Sequence, residues 1–278
     1  MAVSGIQGTF WMIAMNTKHR ALIKRELLQI TLQEKKLVEA AKKAKPLSWK
    51  AQLEKKIPEK VYAGLESAFC KGFSLVFRQG RRIIEMTYRK EQLQKDHALR
   101  DEAVQAQGSR RGLKQMQKSV KRADGMNMVA TTAEGIALGI LGVGLPDIVL
   151  FLSTLLKGIY ETAIHYGFEY ESKPEQYLIL KMMSASLKTG RTWIRENGEV
   201  DALLREDAIA VGDDVFREQM EETAAAFAVD MLLLKFIQGM PVVGILGGAA
   251  NPVYYRKVMT YVQRNYKKRY LLKQEKML

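Results

Sequence analysis

The residues from Lys18 to Ala44 follow the period of an α-helix, and this pattern constrains the fold more than any other. Apolar positions recur at steps of three and four with lysines between them: Leu22, Ile23, Leu27, Ile30, Leu37, Val38 and Ala41. This spacing places them on one helix face. Pro46 ends the pattern. It predicts one long helix, which either packs on a domain or lies on a membrane as a basic amphipathic helix.

Helix-forming residues dominate the remaining sequence, and β-branched runs are scarce. Further helices are predicted from Pro58 to about Gln79, in two pieces within 92–124, and over 148–168, 175–197, 223–238 and 254–276. Gly167 suits the glycine position that ends the helix over 148–168, and Asn197-Gly198 suits a turn. The 278 residues are 47% hydrophobic, enough for a sizeable core. We therefore expect an all-α protein with a single helical domain over 47–278, preceded by a basic N-terminal helix or extension over 1–46.

Two glycine-rich apolar segments interrupt the charged helices, over 135–156 and 242–251. The first has 22 residues, which is long enough to span a bilayer, but Asp147 follows Pro146 in its middle. A proline and an acid together suit a helix start, so we expect two helices meeting there. The glycines allow close helix packing, in a soluble core or in a hairpin that touches lipid; they are Gly135, Gly139, Gly142, Gly244, Gly247 and Gly248.

Several isolated charged residues lie in or beside apolar sequence and are candidates for buried polar positions. They are Glu134, Asp147, Lys157, Asp230 and Lys235. A buried carboxylate needs a partner or a raised pKa. Asp230 and Lys235 point about 140° apart on one predicted helix, so a base from another helix, such as Lys157, is the expected partner of Asp230. The alternative is that Asp147 or Asp230 serves as an acid or base in catalysis.

The net charge of +14 is unevenly distributed. Residues 17–60 hold 13 basic and 5 acidic residues, and residues 255–278 hold 8 basic and 1 acidic, whereas residues 195–222 hold 3 basic and 10 acidic. Basic ends favour anionic partners. We expect the C-terminal helix to contact anionic lipid through Lys267, Lys268 and Arg269. Nucleic acid is the less favoured anionic partner because no nucleic-acid-binding signature accompanies the charge.

The usual signatures of metal and cofactor sites are missing from the sequence. His19, His97 and His165 lie far apart, without a second ligand at metal-binding spacing. There is no phosphate-binding glycine loop and no nucleophile elbow. We expect neither a metal nor a cofactor. Cys70 is the only cysteine, which fits a reducing cytosol.

An ordered set of short motifs resembles the EcsC protein family, from about Ser48 to Tyr270. The motifs are Ile57-Pro58-Glu59-Lys60-Val61, Glu134-Gly135, Leu145-Pro146-Asp147-Ile148, Tyr166-Gly167-Phe168, Pro174-Glu175, and Met240-Pro241-Val242-Val243-Gly244 leading to Gly247-Gly248-Ala249-Ala250-Asn251. Pro252 departs from the family pattern, in which an aromatic residue often follows the asparagine. The resemblance supplies no catalytic residue.

This resemblance implies a bacterial, membrane-linked protein, because the family takes its name from an operon that also encodes an ABC transporter. We therefore expect a non-catalytic, cytoplasmic protein, peripheral at the inner face of the cell membrane. Its expected partners are anionic lipid and, as a candidate, the membrane subunit of an ABC transporter. The alternatives are an enzyme acting on a lipid or other membrane substrate, and a nucleic-acid-binding protein.

Overall fold

The computed structural model describes residues 3–44, 58–77, 90–107, 110, 112–121, 145–237 and 250–278. These residues form nine helices and no strand, which confirms the all-α prediction. In chain order the helices are α1 (Val3–Lys43), α2 (Glu59–Leu75), α3 (Lys90–Gln107), α4 (112–121), α5 (Leu145–His165), α6 (Lys173–Leu187), α7 (Gly190–Arg205), α8 (Asp213–Ile237) and α9 (Ala250–Met277).

Helix α9 lies at the centre of the described fold, against α1, α5, α6 and α7. Helix α8 packs on α2 and α6, α2 also contacts α5, and α3 lies between α5 and α1. The central position of α9 is unexpected for so basic a helix. Its large tyrosines make it possible, because Tyr255, Tyr266 and Tyr270 are almost completely buried and fill much of the space between neighbouring helices.

Helix α1 contributes to this core, since Leu22, Ile23 and Ile30 are buried against the neighbouring helices. It begins at Val3, earlier than the predicted Lys18. The expected domain boundary at residue 46 lies in a range outside the described residues.

The end of α5 follows the sequence prediction closely. Gly167 adopts a left-handed φ of 76°. Its N–H donates to the carbonyl of Ile164, and the N–H of Phe168 donates to that of Ala163, which is the Schellman pattern. The motif turns the chain towards α6, where the Ser172 side chain accepts a hydrogen bond from the N–H of Glu175.

The predicted helix over 175–197 is wrong, because two helices replace it. Lys188 and Thr189 are extended, and Gly190 has a left-handed φ of 59°, so α6 ends and α7 begins there. Asn197 and Gly198, predicted as a turn, lie inside α7. The Asn197 side chain accepts a hydrogen bond from the Tyr261 hydroxyl at 3.0 Å, so a contact with α9 outweighs the local turn preference.

Close helix packing on glycine does occur, at positions that the sequence analysis did not single out. A Cβ on Gly72 of α2 would lie 2.9 Å from the Cγ2 of Ile148 on α5. A Cβ on Gly158 of α5 would collide with the hydroxyl of Tyr255 on α9 and lie 3.3 Å from the Cε of Met259. The predicted packing glycines, Gly135, Gly139, Gly142, Gly244, Gly247 and Gly248, lie outside the described residues, and their role in helix packing stays a prediction.

Replacing Gly158 by alanine should destabilise the protein by about 1–3 kcal/mol, because the added methyl group overpacks the α5–α9 contact. Gly198→Ala is the matched control, since a Cβ there meets nothing within 4 Å on a helix. Alanine should stabilise that position by about 0.5–1 kcal/mol. Urea denaturation of both variants tests this, and equal free energies of unfolding would contradict the packing account.

Candidate functional site

The basic residues near the end of α9 bind carboxylates of the fold. The Nζ of Lys267 donates to Glu26 of α1 at 2.8 Å. The Nζ of Lys268 donates to Glu34 of α1 at 2.6 Å and also pairs with Asp201 of α7. These contacts fix α1 and α7 against α9.

Arg269 completes the set through α6. Its Nη1 lies 2.6 and 2.8 Å from the two carboxylate oxygens of Glu175. The guanidinium carbon lies 4.3 Å from the ring centroid of Phe168. The hydroxyl of Tyr266 donates to Glu175 at 2.7 Å. Burial first, and the Glu175 carboxylate second, raise the pKa of Tyr266, so this hydroxyl remains a donor at neutral pH.

These pairings give Lys267, Lys268 and Arg269 a structural role. Their side chains are only 19%, 5% and 19% exposed. A cation that is buried against a carboxylate is poorly placed to meet a lipid headgroup. The contact of these three residues with anionic lipid stays a prediction. The run of charges along α9 does not reveal that their partners lie on three other helices.

Asp230 is held by α9 rather than by the predicted Lys157. The Nζ of Lys257 lies 2.9 Å from the Oδ2 of Asp230 and 3.3 Å from the carbonyl oxygen of Leu187. The prediction that the partner comes from another helix is confirmed, but Lys157 is the wrong residue. The side chains of Glu134, Asp147 and Lys235 lie outside the described residues.

A cavity of about 340 Å³ adjoins Asp230, between α2, α8 and the turn that joins α6 to α7. Glu222 and Asp230 are its two lining carboxylates. Each faces a lysine, since Lys181 lies 4.0 Å from Glu222 and Lys257 lies 2.9 Å from Asp230. Each carboxylate of the cavity is therefore paired with a lysine. This arrangement suits a structural role better than acid–base chemistry.

The three histidines of the sequence come together around α3, although they lie far apart in the chain. The His97 ring nitrogen Nδ1 lies 3.0 Å from the backbone oxygen of His165. His19 of α1 is buried near Asp101 of α3. Within the described residues, no group of three or more potential ligands could hold a metal ion.

His165 is the most strongly perturbed of these histidines. Burial lowers its pKa to about 4, and the positive charge of Arg100 acts in the same direction. Burial also lowers the pKa of His19, with Asp101 opposing the shift. Both imidazoles are therefore neutral at pH 7.

The outer face of α1 is a basic surface that is open to solvent. Lys24, Arg25, Lys35 and Lys36 are exposed on it, and they pair with no described carboxylate. This face points away from α9, because Glu26 and Glu34 occupy the opposite side of the helix. Of the basic surfaces expected from the sequence, the one on α1 is exposed and the one on Lys267 to Arg269 is internal.

Replacing Arg269 by glutamine should destabilise the protein by about 2–4 kcal/mol, because it leaves the Glu175 carboxylate buried without its cation. Arg269→Lys should restore part of the loss, since it keeps the charge but not the planar guanidinium that lies over the Phe168 ring. Arg217→Gln is the control, because that side chain is 64% exposed and its partner Asp214 is 89% exposed, and its effect should stay below about 0.5 kcal/mol. Thermal and chemical denaturation measure the series, and equal losses for Arg269 and Arg217 would contradict the proposed role.

Stability should fall as the pH drops from 7 to 5. The folded pKa of His165, about 4, is below the unfolded value of about 6.5. The unfolded chain therefore binds more protons across this window, and this residue alone removes about 2 kcal/mol by pH 5. His165→Gln should flatten the dependence over that range, measured by denaturation at each pH. An unchanged slope would show that other groups control it.

Comparison with known protein families places most of the chain in one of them. The model of the EcsC protein family matches residues 22–271 of the 278. The match includes most of the described part of α1, together with Phe168 and Glu175, the two motif residues that contact Arg269. No curated protein and no solved structure gives a significant match. The family match spans most of the chain, and the protein is a member of the EcsC protein family.

Proposed function

We propose that the protein is a non-catalytic, peripheral component of the cytoplasmic membrane surface, attached to anionic lipid by electrostatic attraction. One observation carries the proposal. The described part of α1 has one exposed carboxylate, Glu39, and eight exposed cations. The cations are Lys18, Arg20, Lys24, Arg25, Lys35, Lys36, Lys42 and Lys43.

The charge on α1 is effective because its other acids face inwards. Glu26 and Glu34 are bound to Lys267 and Lys268 on the core side. A lysine or arginine near an anionic membrane is worth about 1 kcal/mol. Half of the exposed cations of α1 would therefore supply on the order of 4 kcal/mol, which supports reversible attachment.

Attachment through the surface of α1 agrees with the position of the helix that most resembles a membrane span. Among the described residues, one helical segment, Ile148–His165 in α5, is long and apolar enough to cross a membrane. Most of this segment is buried inside the fold, where Leu152, Leu155 and Ile159 are completely covered. In this arrangement α5 serves as a core helix, and the exposed face of α1 makes the proposed membrane contact.

The setting implied by the family supports the same location. The operon that gives the family its name also encodes an ABC transporter, so the membrane subunit of such a transporter is a candidate protein partner. A protein held at the inner membrane face by α1 would be positioned beside that subunit. Lipid attachment is the part of this proposal that the charge of α1 supports directly.

The full-length protein should float with vesicles that contain anionic phosphatidylglycerol and remain unbound with neutral phosphatidylcholine vesicles. Raising the salt concentration from 0.1 to 1 M should release it, because the Debye length falls from about 10 to about 3 Å. Flotation across this salt range, with bound protein quantified in each fraction, measures the effect.

A duplex DNA of matched charge concentration provides the comparison. The proposal requires that binding to anionic vesicles exceed binding to this DNA at physiological salt. Equal binding to neutral and anionic vesicles, or a clear preference for DNA, would contradict it.

A further inference from the structure

The exposed face of α1 combines charge with hydrophobicity in one pattern. Leu28 is 59% exposed and Leu32 is 50% exposed, although both belong to a helix with a well-buried opposite side. Lys24 and Arg25 lie four and three residues before Leu28. Lys35 and Lys36 lie three and four residues after Leu32. Residues at these spacings share a helix face, so cations surround the leucine pair at both ends.

We propose that α1 lies flat in the membrane interface with Leu28 and Leu32 inserted among the lipids, while the surrounding cations bind the anionic headgroups. This inference rests on the proposed function and names the element and the side chains that perform it. An anionic bilayer complements both parts of the face, because it offers negative charge at the level of the cations and apolar chains just below.

The opposite face of α1 is anchored in the core of the protein. Leu22, Ile23 and Ile30 are buried in the core, and Glu26 is bound to Lys267 on α9. The helix is thus formed and held before it meets a membrane. An isolated amphipathic peptide must fold as it binds and loses affinity through the ordering of its chain. A preformed α1 avoids that cost, so two leucines and a few cations are sufficient.

Other occupants fit this face less well. A second copy of α1 would bring like charges together, since Glu39 is its one exposed carboxylate in the described residues. Nucleic acid would engage the cations through phosphates but leave Leu28 and Leu32 in water. The leucines are the feature that distinguishes a bilayer from any other polyanion.

Two double variants of the full-length protein separate insertion from charge. Leu28→Gln with Leu32→Gln removes the apolar pair, and Lys24→Gln with Lys35→Gln removes two of the surrounding cations. Each should lower the partition coefficient onto phosphatidylglycerol vesicles about tenfold or more, from the loss of partial leucine burial or of two lysine–membrane interactions. Circular dichroism and thermal melts verify that the variants remain folded.

Matched controls lie on other helices. Leu99→Gln replaces a leucine on α3 that is 68% exposed. Lys60→Gln with Lys71→Gln removes the same charge from exposed positions on α2, which packs against α5 and α8. Both controls should bind vesicles within about twofold of the unmodified protein. Leu28→Trp should shift its added fluorescence to the blue on binding, and Leu99→Trp should not.

The outcomes distinguish the two levels of the proposal. Failure of the unmodified protein to bind anionic vesicles would overturn the proposed function. If it binds but both α1 double variants bind equally well, α1 is not the contact element, and the inference is overturned while the function stands. Loss of binding with the lysine variant alone, without a fluorescence shift at position 28, would refute insertion of the leucines. Loss with both variants, together with the shift, supports the inference in full.

Discussion

Three consecutive basic residues of α9, Lys267, Lys268 and Arg269, connect the helices of this protein. Because they are adjacent on a helix, their side chains project in directions about 100° apart, and together they reach three neighbouring helices. One binds α1, the second lies between α1 and α7, and the third binds α6. A central helix with this much charge is stable only if each cation meets a carboxylate, since an unpaired charge in the interior is costly. The arrangement of four helices is thus tied to complementary charges as well as to apolar burial.

The sequence predicted the helical class, the family and the end of α5 because each depends on local residue patterns. Periodicity reveals which residues share a face, and Gly167 marks a left-handed turn. The turn predicted at Asn197-Gly198 was wrong, since the Asn197 side chain lies within α7 and bonds to a partner on α9. For the same reason Lys257 was not identified as the partner of Asp230. Pairing between distant residues is a property of the folded arrangement, and one sequence without such contacts cannot specify it.

The choice between the two basic surfaces, on α1 and on α9, also depends on contacts between residues that are distant in the sequence. A basic α1 was visible in the sequence, and so was a basic α9, but the two could not be ranked by charge alone. The structure separates them, because Lys268 is almost completely buried whereas Lys24 and Lys35 are exposed. Leu28 and Leu32 are likewise ordinary helix leucines in the sequence. Their exposure in the structure is what identifies them as a candidate contact with lipid. Partner and exposure, rather than residue type, decide which basic surface is open to a ligand.

The docking of α1 on α9 also affects how shortened forms of the protein would behave. A version starting at residue 47 would lose Glu26 and Glu34, the α1 carboxylates that face Lys267 and Lys268. Two lysines and a strip of core side chains would then be open to solvent. Such a fragment would expose a cationic, apolar surface that is covered in the longer protein. Its affinity for nucleic acids, lipids or acidic proteins would then result from the truncation and would not be a property of the intact protein.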